Sequence, residues 1–132
     1  MTNQEKKAYL LRYRDNEREI RRLQEEILRW ESQSRKTTVS FGGAGGEDRL
    51  QVAVEKIVRL QNRLTQQVIE RVRLREQIED AIASVEDERL RLLLRYRYIE
   101  GWTWEHIAVE LDNSYQWVCH LHGMALKEIL IT

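Results

Sequence analysis

The apolar positions of residues 1–34 fall along one edge of a helix. Tyr13, Ile20 and Ile27 lie seven apart, and Leu23 and Trp30 follow the last two by three. Arg and Glu fill the other faces, so the spacing predicts one long amphipathic helix with a coiled-coil-like seam. Over 35–47 the periodicity stops. Ser34, Thr37, Thr38, Ser40, Gly42, Gly43, Gly45 and Gly46 read as a flexible connector. No Lys-Ser/Thr follows these glycines and no strand precedes them, so a phosphate-cradling loop is not expected. The pattern resumes in a second long helix over 48–84. Leu50, Ile57, Leu64, Ile78 and Val85 keep the seven-residue repeat, and Val54, Val68 and Ile82 hold the complementary position. Gln61, Arg71 and Arg75 interrupt this seam. Each helix hides its stripe either by folding back on the other as an antiparallel hairpin or by pairing with a second copy of the chain. The pattern allows both.

Residues 85–132 change character. Ser84-Val85-Glu86-Asp87 resembles a capping box, with an acidic run suited to the positive end of a new helix. The next helix is expected from Arg89 to Ile99, apolar at Leu90, Leu93, Leu94 and Tyr98, with Gly101 as its C-cap. Thr103 is a good N-cap for a short helix from Trp104 to Leu111. Asp112-Asn113-Ser114 reads as a turn whose serine caps a helix from Tyr115 towards Ile131. Ile107, Leu111, Val118 and Leu121 supply the contacts two crossing helices need, and Ala108 is small where they approach. The expected fold is all-α: a long helical hairpin or coiled-coil part followed by a helix-turn-helix domain.

Composition narrows the class without naming a partner. The chain has 132 residues, 42% of them apolar and 33% charged, with no proline, which excludes collagen-like and fully disordered chains. No apolar run is long enough for a membrane span, and nothing at the N-terminus resembles a signal peptide. One cysteine, Cys119, fits a reducing compartment, so a soluble cytoplasmic protein with no membrane partner is expected. The formal net charge is zero, with 22 basic and 22 acidic residues, but it is unevenly spread. Residues 1–36 hold 10 basic and 7 acidic side chains, whereas 86–132 hold 5 basic and 8 acidic. Nucleic-acid binding by the C-terminal part has to overcome that excess.

The segment from Thr103 to Lys127 resembles, without a gap, region 4 of bacterial sigma factors. Thr103-Trp104-Glu105-His106 stands where that family has Thr-Leu-Glu-Glu, Ala108 is its small residue, Ser114 its cap and Ala125-Leu126 its ending. RYIEGWTWEHIA (97–108) and SYQWVCHLHGMAL (114–126) are more narrowly similar to sigma-region-4-like regulators encoded by phages. These are related to the RinA and ArpU regulators of phages of Gram-positive bacteria. The resemblance implies transcriptional control in a phage or prophage, with double-stranded promoter DNA and host RNA polymerase as partners. It carries the base-reading positions onto Tyr115, Gln116, Trp117, Cys119 and His120. Gln116 suits a bidentate pair with adenine, and Tyr115 or Trp117 a thymine methyl or a phosphate. The N–H groups behind Thr103 and Ser114 would anchor phosphates.

The sequence also departs from that family. Sigma recognition helices are rich in arginine, yet 100–132 holds one basic residue, Lys127, and five acidic ones. Phosphate neutralisation supplies most DNA affinity, so weak binding is expected from this module alone. Arg89, Arg91, Arg95 and Arg97 are the nearest compensation, with the first helix and a homodimer through the long helices adding to it. Two other functions fit the same elements. One is a DNA-packaging recognition protein of the small-terminase type; the other is a coiled-coil adaptor that does not touch DNA.

Simpler roles account for the remaining chemistry. Trp102, Trp104 and Trp117 are expected as core or partly buried packing, as are Tyr96 and Tyr98. Cys119 and His122 share a helical face, with His106 and His120 nearby, but zinc-site spacing is lacking and no metal is expected. No base–carboxylate set is positioned to activate Cys119. No catalytic residue, enzymatic activity or cofactor is expected.

Overall fold

The computed structural model describes residues 1–39 and 46–131, with the side chains of 37–39 excepted. The protein is all-α, with α1 (Asn3–Val39), α2 (Gly46–Ala83), α3 (Glu88–Tyr98), α4 (Trp104–Glu110) and α5 (Tyr115–Glu128). The connector expected over 35–47 is corrected at both ends. Residues 35–39 continue α1 and residues 46 and 47 open α2, while Ser40, Gly42, Gly43 and Gly45 lie outside the described residues. Thr37, Thr38 and Val39 are only weakly unfavourable in a helix, and Gly46 stands at an end, where Glu47 and Asp48 complement the positive pole. Among the described residues no helix is long and apolar enough to cross a membrane.

The chain divides into two compact units, one of Met1–Asp15 with Arg71–Thr132 and one of Asn16–Glu70. In the second unit the two long helices pair within one chain and run antiparallel. Leu23 and Ile27 bury against Leu60, with Trp30 and Leu64 packed beside them. The complementary stripe of the α2 seam, however, is shifted here by one position from Val54 to Ala53. Ala53 and Leu60 are buried, whereas Val54 is 48% exposed. Ile57 and Leu64 keep their expected place, half-buried. The true repeat runs 53, 60, 67, with a small Ala53 and a polar Gln67 that hide it from a hydrophobic pattern.

Gln67 has a reason to lie there. Asn16, three residues after Tyr13, takes the matching seam position of α1 and is 5% exposed. Its amide donates to the Gln67 side-chain oxygen at 2.9 Å and to the Gln67 carbonyl at 3.1 Å. The Asn16 Oδ1 is buried without a hydrogen-bond partner. A polar layer of this kind costs stability and favours a single register, because a slipped hairpin would strand the amide among apolar side chains. Asn16→Leu combined with Gln67→Leu is therefore expected to stabilise the hairpin by roughly 1 kcal/mol. A urea midpoint that falls on this double substitution would contradict that account.

The first unit is built around α3, α4 and α5. α3 places Leu90, Leu93, Leu94 and Tyr98 inward at helical spacing, and each is at most 1% exposed. They meet Ile107 and Ala108 of α4, Val118 and Leu121 of α5, and Ile129 beyond it. Leu10 and Tyr13 of α1 and Leu74, Ile78, Ala81 and Ile82 of α2 join the same core. The α3 start is corrected: its N-cap is Asp87, whose carboxylate accepts from the N–H groups of Arg89 and Leu90. Ser84 instead donates to the Ala81 carbonyl at 2.6 Å and accepts the Leu130 N–H at 2.9 Å. The turn after α3 bends at Gly101, whose φ of +74° only glycine adopts without strain. The Arg14 guanidinium packs against that glycine, where a Cβ would collide with it.

Candidate nucleic-acid interface

α4 and α5 are joined by the turn 111–114, in which Asp112 adopts a φ of 53°. The Asn113 N–H donates to the Ala108 carbonyl at 2.9 Å and closes the end of α4. Both expected N-caps form. Thr103 Oγ1 accepts the His106 N–H, and Ser114 Oγ accepts the Trp117 N–H, each at 3.1 Å. Ser114→Ala is expected to cost about 1 kcal/mol and to fray the first turn of α5. Amide hydrogen exchange at Tyr115–Trp117 reads that fraying; unchanged protection would remove the cap's role.

The seven residues named from the sequence are all exposed. Val118, Leu121 and Ala125 fill the inner face of α5, so Gln116, His120 and Lys127 stand on its outer face at helical spacing. Gly123 lies between the last two, and nothing stands within 4 Å of where its Cβ would be. Tyr115 and Cys119 lie along one edge of this face. Along the other, Trp117 lies against His120 with ring centroids 5.0 Å apart. Trp117, expected as packing, is 44% exposed, because Val118 rather than its neighbour faces the core. Thr103 stands apart from this helix, at the start of α4.

Other residues hold this surface in place and were not singled out as doing so. Trp102 is stacked between Tyr96 at 4.1 Å and His106 at 3.8 Å, which ties the end of α3 to α4. Arg97 donates to the Trp102 carbonyl at 2.9 Å and lies over the Trp104 ring at 4.5 Å. Lys6 donates to the carbonyls of Leu126 and Lys127, countering the negative pole of α5. His122 turns inward, and its Nε2 lies 2.7 Å from the Tyr98 hydroxyl. Aromatic residues in 96–106 were legible as packing, but their partners lie on different helices.

Electrostatics make the surface unusual for contact with a polyanion. From Tyr115 to Leu126 there is no Asp, Glu, Lys or Arg. The Tyr115 phenol is held above its ordinary pKa chiefly by neighbouring Cys119, with Glu105 adding to the effect and Arg97 opposing it. Of the four arginines expected to compensate, Arg91 caps the Val85 and Glu86 carbonyls, Arg97 holds α4, and Arg95 lies 3.5 Å from Glu79. Arg89 is exposed. Among the described residues no three His, Cys, Asp or Glu side chains are grouped so as to hold a metal ion. Comparison with protein-family models, with curated proteins and with solved structures finds no match for this chain.

Proposed function

We propose that this protein is a transcription regulator of a phage or prophage. It acts in the bacterial cytoplasm without enzymatic activity, and its α4–α5 helix-turn-helix engages promoter DNA. The observation that carries this reading is the placement of Tyr115, Gln116, Trp117, Cys119 and His120 on the exposed surface of a capped helix behind a tight turn. A helix held in this way enters a major groove with its first turns against base edges. Gln116 is the residue for a bidentate adenine contact, and Tyr115 and Trp117 flank it for thymine methyls or the backbone. Few cations line the face, so affinity is low and its salt dependence shallow.

One observation favours a second reading. An exposed helix face with aromatic residues, Met124 and no formal charge before Lys127 suits a protein surface such as that of host RNA polymerase. A salt-dependent titration separates the two. Random duplex is used first and then promoter fragments, with polymerase added or omitted. Promoter-selective binding by the protein alone, weakened roughly 10- to 100-fold by Gln116→Ala, is the expected result. Binding seen only as a supershift of the polymerase–promoter complex transfers the function to polymerase. Silence in both overturns the regulator reading, and a mass equal to eight or more subunits would then favour a packaging protein.

A further inference from the structure

Within unit 16–70, α2 carries a second apolar stripe that α1 does not cover. Val54, Val58 and Ile69 are 48%, 50% and 68% exposed. At 100° per residue they share a sector of about 60° with Thr65. The Thr65 hydroxyl donates to the Gln61 carbonyl at 3.0 Å, so its polar demand is met on its own helix. Glu19 acts on Arg63 along one edge of the antiparallel hairpin. Along the opposite edge the register sets Leu28, which is 61% exposed, on the same side as Val54. Two valines and an isoleucine on one side of a solvated helix leave an apolar surface that calls for a cover.

The order of residues says what covers it. Read forwards, the stripe runs Val54, Val58, Gln61 and Asn62, Thr65, Ile69; read backwards, it has the same spacing and nearly the same shapes. Valine and threonine are close in outline, and the two amides lie at the midpoint. A surface that repeats itself on reversal is complementary to its own antiparallel copy, as an isologous interface requires. We propose that a second copy of this chain docks here, α2 against α2 in antiparallel, about a two-fold axis beside Gln61 and Asn62. Val54 then packs on Ile69 of the second copy and Val58 on Thr65, twice over. The central amides meet one another, and Glu55 comes level with Val68 of the second copy, so no like charges meet there. This pairing does not rest on the DNA reading.

Sedimentation equilibrium and disulfide trapping test it on the full chain. The wild-type protein is expected to be a dimer, and Val58→Glu with Ile69→Glu is expected to weaken self-association by roughly 100-fold or more. Circular dichroism checks that the double variant, altered only at exposed positions, keeps its helices. A monomer at about 100 µM overturns the proposal and assigns the stripe to another protein. So does a dimer that survives the double variant. Orientation is read in a Cys119→Ser background under copper–phenanthroline oxidation. Asn62→Cys is expected to link to itself. Val54→Cys is expected not to, because its copies stand about 22 Å apart in the antiparallel pair. Self-linking through Val54→Cys overturns the antiparallel arrangement.

Discussion

Truncating Leu121 to alanine is expected to destabilise the protein by about 3 kcal/mol, the largest single effect anticipated for this fold. Leu121 is 1% exposed and packs among the side chains of α3 and α4 that hold α5 in position. The loss combines the transfer free energy of the removed methyls with the cavity left in a close-packed interior. For a unit of this size it corresponds to a melting temperature roughly 10 °C or more lower. The same truncation undermines the surface carrying Gln116 and Trp117, so partner binding should fall with stability. Val109→Ala is the control. Val109 is 78% exposed, and its truncation should stay within about 0.5 kcal/mol. Equal effects from the two would mean that α5 is not held by its buried face.

A second large effect is expected from acid. Burial is the first cause that lowers the His122 pKa, from 6.5 to about 4, and the nearby Lys7 and Arg97 push it the same way. The imidazole is therefore neutral in the fold, with Nε2 2.7 Å from the Tyr98 hydroxyl. Burial likewise pushes the Tyr98 phenol up, which keeps it protonated. Between the two His122 values the unfolded chain binds a proton that the folded chain does not. Stability from this group is complete above pH 6.5 and is lost as pH falls towards 4, by an amount on the order of 3 kcal/mol. Urea midpoints taken through this window should fall steeply for the wild type. They should fall less for His122→Gln, which retains an acceptor and cannot be protonated. Parallel slopes for the two proteins would show that another group governs the acid limb.

The periodic parts of the fold were open to reading because large apolar residues at helical spacing have few alternatives. Leu90, Leu93, Leu94 and Tyr98 had to face one way, and so did Ile107, Val118 and Leu121. The N-caps Thr103 and Ser114 were legible for a local reason: a hydroxyl before a helical run satisfies the N–H three residues ahead. In the α2 seam one position, Val54, was misplaced because alanine contributes little to an apolar pattern. Ala53 lost to Val54 on hydrophobicity while winning on fit against α1. A neighbouring choice between Ser84 and Asp87 was decided by carboxylate geometry, which residue type alone does not settle.

Long-range chemistry was the least visible. Nothing local to Asn16 announces that Gln67 will receive its amide, and nothing local to Gly101 announces Arg14. The candidate interface was read one residue at a time from a resemblance, and the fold places all of those residues at the surface. What the resemblance did not convey is how they are supported. The Tyr96–Trp102–His106 stack, Arg97 over Trp104 and the inward turn of His122 each join helices that the sequence presents separately.

Lys6 and Leu126 touch although they stand 120 positions apart in the chain. At synthesis rates of about 5–20 residues per second, α1 leaves the ribosome roughly 6 to 24 s before the carbonyls it caps are made. Leu10 and Tyr13 spend that interval without the core that finally covers them. The antiparallel hairpin is complete much earlier and needs nothing from the last sixty residues. Synthesis order thus leaves the first fifteen residues waiting for the segment that completes their core.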